Sequence, residues 1–229
     1  MAATVRRRLA PVVRPGLRTP FLIGTVAAAC IVLVLAICYA GDDAGSALDR
    51  SAAQWAEATR AGSRSAIQAA LNVNGYGEAR SVAVLVVLGA VICACMGRLR
   101  LATVAFAAPL ASAAATTALK PLVDRTIHGD FLSYPSGHTA VATAFGIVVA
   151  MILVEATRAG RILALVLIAL GALAGGIGMG WSQVLLDTHY LTDCVGGLAT
   201  AVVVVLGGSV LLDRFIDRLL ERRSGPTGA

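Results

Sequence analysis

Six long apolar runs constrain this chain more than any other feature of its sequence. A helix needs roughly 20 predominantly apolar residues to cross a lipid bilayer, and fewer when its ends are anchored. The runs therefore predict an all-α integral membrane bundle of six transmembrane helices. They lie at about residues 21–40, 81–97, 101–119, 137–155, 162–180 and 190–212.

The composition agrees with lipid as the solvent. The chain is 58% hydrophobic and 14% charged, whereas a soluble domain has about 25% charged residues. Its net charge of +6 is spread between the apolar runs, which argues against a nucleic-acid partner. The five cysteines lie in or beside these runs. This position is typical of small buried side chains, and it disfavours a disulfide framework or a zinc finger.

The basic residues predict the orientation of the bundle. Most of the 19 lysines and arginines fall in the two tails and in the turns at 98–100 and 158–161. The positive-inside rule then places both termini in the cytoplasm, and we expect a bacterial plasma membrane. The expected organisation is a basic tail at 1–20, a membrane domain at 21–213 and a basic tail at 214–229, disordered from 224 onward.

The largest outer loop, residues 41–79, is alanine-rich and contains Trp55. It predicts one short amphipathic helix at the membrane interface, with Trp55 as its anchor. An alternative concerns the first apolar run. A basic region before an apolar stretch also resembles a secretory signal, whose removal would leave five spans. The run at 21–40 is longer than the usual core of such a signal, which favours six spans.

Polar residues gather at the outer ends of the later spans. The three histidines, His128, His138 and His189, and the single lysine, Lys120, all belong to these islands. Ionisable groups near membrane depth are costly and usually functional. The islands cover residues 120–128, 134–139 and 181–193. Two cations, a helix start and histidines beside an acid suit a tetrahedral oxyanion, most plainly a phosphate.

His189 and Asp193 are four residues apart, which places them on one helix face. A carboxylate that accepts a proton from one imidazole nitrogen fixes the tautomer and leaves the other nitrogen as a nucleophile. His138 is then the candidate general acid. Taken singly, the pair also fits an ordinary polar pair on a helix, and His128 stays outside the core set because it need only flank the site.

The remaining polar residues fit phosphate binding. Lys120 and Arg125 would neutralise the charge, while the Ser136 hydroxyl and the Gly137 N–H would donate to phosphate oxygens. Gly137 also permits a close approach of the backbone. Each has a plainer interpretation, because Ser136 fits a helix N-cap and the cations fit interfacial anchors. These readings do not explain why all the residues fall on one face.

The ordered set resembles the type 2 phosphatidic acid phosphatase superfamily of membrane lipid-phosphate phosphatases. Pro-Ser-Gly-His matches the second family motif in full at residues 135–138. The third motif matches in spacing, with Ser182, five residues between Gln183 and His189, and three between His189 and Asp193. Gln183 stands where the family has arginine. In the first motif, Arg125 is five residues after Lys120 rather than seven, and threonine rather than proline follows it.

The resemblance implies a phosphohistidine mechanism without metal or cofactor. His189 attacks phosphorus, His138 protonates the leaving group, and Asp193 orients His189. It also implies that Ser182 and Gln183 join Lys120, Arg125, Ser136 and Gly137 in binding substrate. The expected substrate, and partner, is a membrane lipid mono- or diphosphate, either a polyprenyl (pyro)phosphate or a phosphatidyl phosphate, bound at the outward-facing end.

Two other functions stay open at this point. A lipid phosphotransferase would use the same phosphohistidine with an alcohol as acceptor. A non-catalytic lipid-binding member is favoured by Gln183, but intact His138, His189 and Asp193 argue against it. A transporter fits less well, because no apolar run carries a charge at its centre and no internal repeat is evident. The sequence does not predict an oligomeric state.

Overall fold

The computed structural model describes residues 9–224, and within that range the protein is almost entirely helical. The α-helices are α1 (Pro15–Cys38), α2 (Ala47–Gly62), α3 (Arg64–Gly75), α4 (Ala79–Cys95), α5 (Leu99–Val123), α6 (Gly137–Thr157), α7 (Arg161–Leu185), α8 (Leu191–Val202) and α9 (Gly208–Ser224). A π-helical segment, Val203–Gly207, joins α8 to α9, and a hairpin of β1 (Thr126–Ile127) and β2 (Phe131–Leu132) follows α5.

The membrane-spanning elements match the six apolar runs. Among the described residues, five helices are long and apolar enough to cross a bilayer: α1, α5, α6, α7 and the continuous Leu191–Arg222 segment. The 17-residue α4 is shorter, and the count reaches six only if α4 is taken as one span with α3, from which it is bent by 56°. The prediction of an all-α membrane bundle is therefore confirmed.

The outer loop forms two helices, α2 and α3, where one was predicted. Ser63 separates them, because it ends α2 and its hydroxyl then accepts the N–H of Ala66 to start α3. The apolar faces of this pair bury Ala56 and Ala70 against Leu185 and neighbouring residues of α7 and α8. The two helices therefore cover the outer end of the bundle.

Helices α6 and α7 are antiparallel and make the most extensive contact in the bundle. Gly146 faces Gly171, and Gly175 faces Ala142, so closely that a methyl group on any of these glycines would overlap the backbone of the other helix. The glycine-rich stretch at 171–176 thus permits the close approach of the two helices.

A buried charge cluster ties the two ends of the chain together at the other end of the bundle. Arg100, at the start of α5, is within 3.2 Å of Asp213 and 2.8 Å of Asp217 on α9. The Asp213 carboxylate also accepts the N–H groups of Val12 and Val13. The segment before α1 is therefore packed from Val12 onward, inside the expected 1–20 tail.

Parts of both expected tails lie outside the described residues. These are residues 1–8, which include three of the N-terminal arginines, and 225–229 of the expected disordered end. Helix α1 itself belongs to the bundle, since Phe21 is buried and the Tyr134 hydroxyl donates to the Val32 carbonyl.

Candidate active site

Three polar segments meet at the end of the bundle that α2 and α3 cover. They are the end of α5 with the hairpin, the turn that begins α6, and the turn between α7 and α8. The structure brings His138, His189 and Asp193 together here, with Lys120 near His138. The fold thus brings the three polar segments together at one end of the bundle, as the sequence predicted.

The Pro-Ser-Gly-His turn is shaped by Ser136, the N-cap of α6. Its hydroxyl accepts a hydrogen bond from the Thr139 hydroxyl at 3.0 Å and from the Thr139 N–H at 3.4 Å. The Ser136 N–H donates to the Asp193 carbonyl at 3.0 Å. Gly197 on α8 makes room for this contact, because a side chain there would strike the Ser136 carbonyl. The turn is thereby fixed to the first turn of α8.

His138 occupies the second position of α6, facing the outer loop. Its Nε2 atom is buried and has no hydrogen-bond partner among the described residues. The backbone of Gly77, between α3 and α4, packs directly on the ring. His189, Glu78 and Lys120 are close enough for their charges to act on His138. A buried imidazole nitrogen with no partner is available to exchange a proton with a bound ligand.

His189 precedes α8 and lies beside Asp193. Its Nδ1 atom is 3.6 Å from Asp193 Oδ2, which is ion-pair range and longer than a hydrogen bond. The His189 side chain is 10% exposed, whereas Asp193 is fully buried. Asp193 Oδ2 also accepts the Tyr190 N–H at 3.0 Å. The carboxylate therefore faces Nδ1, and the opposite ring nitrogen, Nε2, is left free of it.

Arg125 differs most from the sequence-based expectation. It is fully buried, and its guanidinium is bonded to carboxylates instead of facing a phosphate site. Nη1 donates to Asp193 Oδ1 and to the Thr192 hydroxyl, both at 2.7 Å. Nη2 donates to Asp49 Oδ2 at 2.9 Å and lies 3.3 Å from Asp42 Oδ2. Arg125 thus links α8 to the outer loop, while its predicted contact with phosphate stays a prediction.

Two tyrosines complete the surroundings of Arg125. Its guanidinium carbon is 4.1 Å from the centroid of the Tyr39 ring and 4.4 Å from that of Tyr190, distances that favour cation–π attraction. Burial alone would lower the pKa of Arg125, but the carboxylates of Asp193 and Asp49 outweigh it and raise that pKa. Arg125 is therefore a permanent buried cation.

Asp49 is a site residue that the sequence analysis missed. Its carboxylate accepts the N–H and hydroxyl of Thr192 and the N–H and hydroxyl of Ser46, in addition to the Arg125 contact. Burial would raise the pKa of Asp49, but these hydrogen bonds prevail and lower it. The Ser46-x-x-Asp49 spacing in the sequence is a signal for a helix start, which α2 confirms. It carries no hint of a partner on α8.

The other expected substrate ligands have partners within the protein. Lys120 Nζ donates to the Leu132 carbonyl at 2.7 Å, and Ser182 donates to the Ala70 carbonyl at 2.7 Å. Gln183 Nε2 donates to Asn74 Oδ1 at 2.7 Å. Ser182 and Gln183 are both buried, and they hold α3 onto α7. The expectation that Ser182 and Gln183 bind substrate stays a prediction.

Gly137 and His128 lie at the two margins of the site. A side chain on Gly137 would come within 3.4 Å of the Thr116 hydroxyl, which is a tight but not forbidden contact. His128 is more than half exposed, and its Nε2 is 2.8 Å from the Asp187 carbonyl. His128 is thus outside the buried group, where the sequence analysis had left it.

Comparison with known proteins agrees with this arrangement. The sequence model of the PAP2 superfamily matches residues 108–216, which contain all three polar segments. Over residues 108–216 the chain is therefore similar to the PAP2 superfamily. This is a family of membrane phosphatases, enzymes that hydrolyse phosphate esters. No curated protein sequence matched the chain.

A solved structure shares the PAP2 fold. It is the transmembrane PAP2-type phosphatidylglycerolphosphate phosphatase from Bacillus subtilis, which superposes with a TM-score of 0.63. The match covers 85% of this chain and 96% of that one, at 17% sequence identity. Since identity is low, the similarity establishes the fold, an all-α membrane bundle.

Proposed function

We propose that the protein is a metal-independent phosphatase that hydrolyses a lipid mono- or diphosphate through a phosphohistidine. One observation carries this assignment. Two partly buried histidines, His138 and His189, come together at the end of the bundle, and His189 is paired with the fully buried Asp193. A site that only bound lipid would need neither a second histidine nor an orienting acid.

In the first step, His189 Nε2 attacks phosphorus and the bond from phosphorus to the leaving oxygen breaks. Asp193 holds the proton on Nδ1, so the lone pair stays on Nε2. His138 gives its Nε2 proton to the departing oxygen, so that a neutral alcohol or phosphate monoester leaves. The 3.6 Å separation of His189 Nδ1 and Asp193 Oδ2 is longer than a hydrogen bond, and we expect it to shorten when substrate is bound.

In the second step, water attacks the phosphorus of the phosphohistidine and the P–N bond breaks. His138, now neutral, accepts a proton from that water. Inorganic phosphate leaves, and His189 is regenerated. The same residue thus serves as acid in one step and base in the next.

Phosphate binding falls to Lys120 and to the start of α6. The first N–H groups of that helix, near Gly137, would bind an anion there, and the helix dipole would favour it. Lys120 is the candidate cation. Arg125 is committed to carboxylates, so we do not assign it to the phosphate.

The substrate is assigned as a lipid because of where the site lies. The histidines are at the ends of spans, and apolar helices surround them, so a hydrocarbon chain can stay in the bilayer while its head group reaches His189. The basic residues of the turns and tails favour cytoplasmic termini and an outward-facing site in a bacterial plasma membrane.

The test is phosphate release by purified protein in detergent with a chelator present. The panel contains polyprenyl and phosphatidyl mono- and diphosphates and one soluble phosphate ester. Wild type should release phosphate from at least one lipid, and His189→Ala should lower that rate by roughly 10³-fold or more. The matched control is His128→Ala, which removes an exposed imidazole and should stay within about twofold of wild type.

Three outcomes would count against the proposal. Equal release by wild type and His189→Ala would exclude His189 as nucleophile. Release from the soluble ester alone would exclude a lipid substrate. Formation of a phosphorylated alcohol in place of inorganic phosphate, when candidate acceptors are added, would indicate a phosphotransferase.

A further inference from the structure

We propose that Arg125 and Asp49 are positioning residues for the Asp193–His189 pair, so that helix α2 of the outer loop is part of the catalytic machinery. This inference rests on the proposed function for its kinetic consequence, but its structural part can be tested separately. Neither residue is placed to touch substrate; both act through Asp193.

Hydrogen bonds to both carboxylate oxygens fix the orientation of the Asp193 side chain. Oδ1 accepts from Arg125 at 2.7 Å, and Oδ2 accepts from the Tyr190 N–H at 3.0 Å while it faces His189 Nδ1. A free carboxylate rotates about its last bond. With Oδ1 held by Arg125, Asp193 can present only Oδ2 to His189. Arg125 thereby keeps Oδ2 in place opposite Nδ1, where a carboxylate favours the tautomer with the proton on that nitrogen.

Arg125 is in turn held by residues far away in the chain. Asp49 Oδ2 accepts from Nη2 at 2.9 Å, and the other oxygen of Asp49 accepts the Thr192 N–H at 2.9 Å. Asp49 therefore grips both Arg125 and the residue next to Asp193. Both aspartates and Arg125 are buried, so water cannot replace these bonds. Movement of α2 would be transmitted to Asp193 along this path.

The geometry requires arginine rather than any cation. The guanidinium presents its two Nη groups to different carboxylates, on Asp193 and Asp49. Its central carbon also lies over the rings of Tyr39 and Tyr190. A lysine ammonium has one nitrogen and no plane, so it cannot make both contacts and the stacking together. This requirement separates a positioning role from simple charge neutralisation.

The first experiment compares Asp49→Asn and Arg125→Lys with wild type in the lipid-phosphate assay. Asp49→Asn keeps size and shape, and it should lower kcat by about tenfold or more with KM within about twofold, because binding is not its role. Arg125→Lys should lose at least as much. The double variant should lose little more than Arg125→Lys alone, since both substitutions break one path. Asp43→Asn, an exposed neighbour on the same loop, is the control and should match wild type.

The second experiment does not need activity. Protein labelled with ¹⁵N-histidine gives ring signals for three histidines, assigned by substituting each in turn. In wild type, His189 should show a single neutral tautomer with the proton on Nδ1. In Asp49→Asn, His189 should show a mixture of tautomers, while the His128 signals should stay as in wild type. The spectrum of Asp43→Asn should match that of wild type.

The outcomes separate this inference from the proposed function. If wild type releases no phosphate from any lipid, the proposed function fails, and the His189 spectra alone decide the inference. If wild type is active and Asp49→Asn keeps its kcat, or if the His189 tautomer is unaffected, the positioning role is wrong while the phosphatase stands. Should Arg125→Lys fail to fold, Asp49→Asn decides by itself.

Discussion

At the residue scale, the outer loop touches the proposed general acid through a glycine. Gly77 lies between α3 and α4, and its backbone packs on the His138 ring. A side chain at this position would meet the ring carbons of His138. A general acid must lie within hydrogen-bond distance of the atom that it protonates. The contact with Gly77 therefore limits the positions that the His138 ring can take.

We expect Gly77→Ala to push the His138 ring away from its position and to lower kcat/KM by at least about tenfold. The comparison is Gly75→Ala, two residues earlier, where a methyl group would meet no atom within 4 Å. That variant should keep the wild-type rate, because alanine also suits the end of α3. The measurement is phosphate release by both proteins at equal amounts of folded material. Equal activity of the two variants would show that Gly77 does not set the His138 position.

The site residues differ in how far the sequence alone could predict them. His138, His189 and Asp193 were predictable because their roles depend on short spacings within one motif or one helix turn. Arg125 was also named from the sequence, but its contacts with other residues were not predicted. Its partners at positions 42, 49 and 193 come together only in the folded chain, and nothing in the local sequence pairs them.

At the element scale, the spans were predictable and the outer loop was only partly so. Long apolar runs identify spans because lipid leaves little choice of structure. Residues 47–75 form one alanine-rich, helix-favouring stretch, in which Gly62-Ser63 is a short local signal for a break. The break depends on Ser63 and on burial of Ala56 and Ala70 against α7 and α8, which is a tertiary effect.

The contact between α6 and α7 gives a prediction at the same scale. Gly175→Ala would place a methyl group against the Ala142 carbonyl, and we expect the free energy of unfolding to fall by about 1–3 kcal/mol. Gly178→Ala is the matched control on the same helix, because a methyl group there meets no atom within 4 Å. The check is thermal unfolding of both variants in one detergent. A Gly175→Ala protein as stable as Gly178→Ala would mean that the two helices separate easily.

At the scale of the whole molecule, charge is organised differently at the two ends of the bundle. One end buries Arg125 among three aspartates. The other end buries Arg100 with Asp213 and Asp217, and Arg98 contacts Glu155. Some arginines counted for the orientation are thus also structural, but the excess of basic residues on that side persists.

The orientation can be tested by labelling intact cells. Cys30, Cys38 and Cys95 are exposed, so they are first replaced by serine. A membrane-impermeant maleimide should then label Asp130→Cys, which is in the exposed hairpin, and should label Gly160→Cys only after the cells are opened. Both sites have room for a side chain, since Asp130 is exposed and Gly160 has open space around it. The reverse pattern would place the histidines in the cytoplasm.

The glycine contacts between α6 and α7 also bear on which substrates can be accommodated. These helices carry His138 at the start of one and Gln183 near the end of the other, and backbone against backbone sets their spacing. Because their backbones are in contact, α6 and α7 cannot move apart to accommodate a wider head group. We therefore expect α2 and α3, which cover the site, to determine which size of head group can bind. Relatives with other substrates should differ in these two helices more than in α6 and α7.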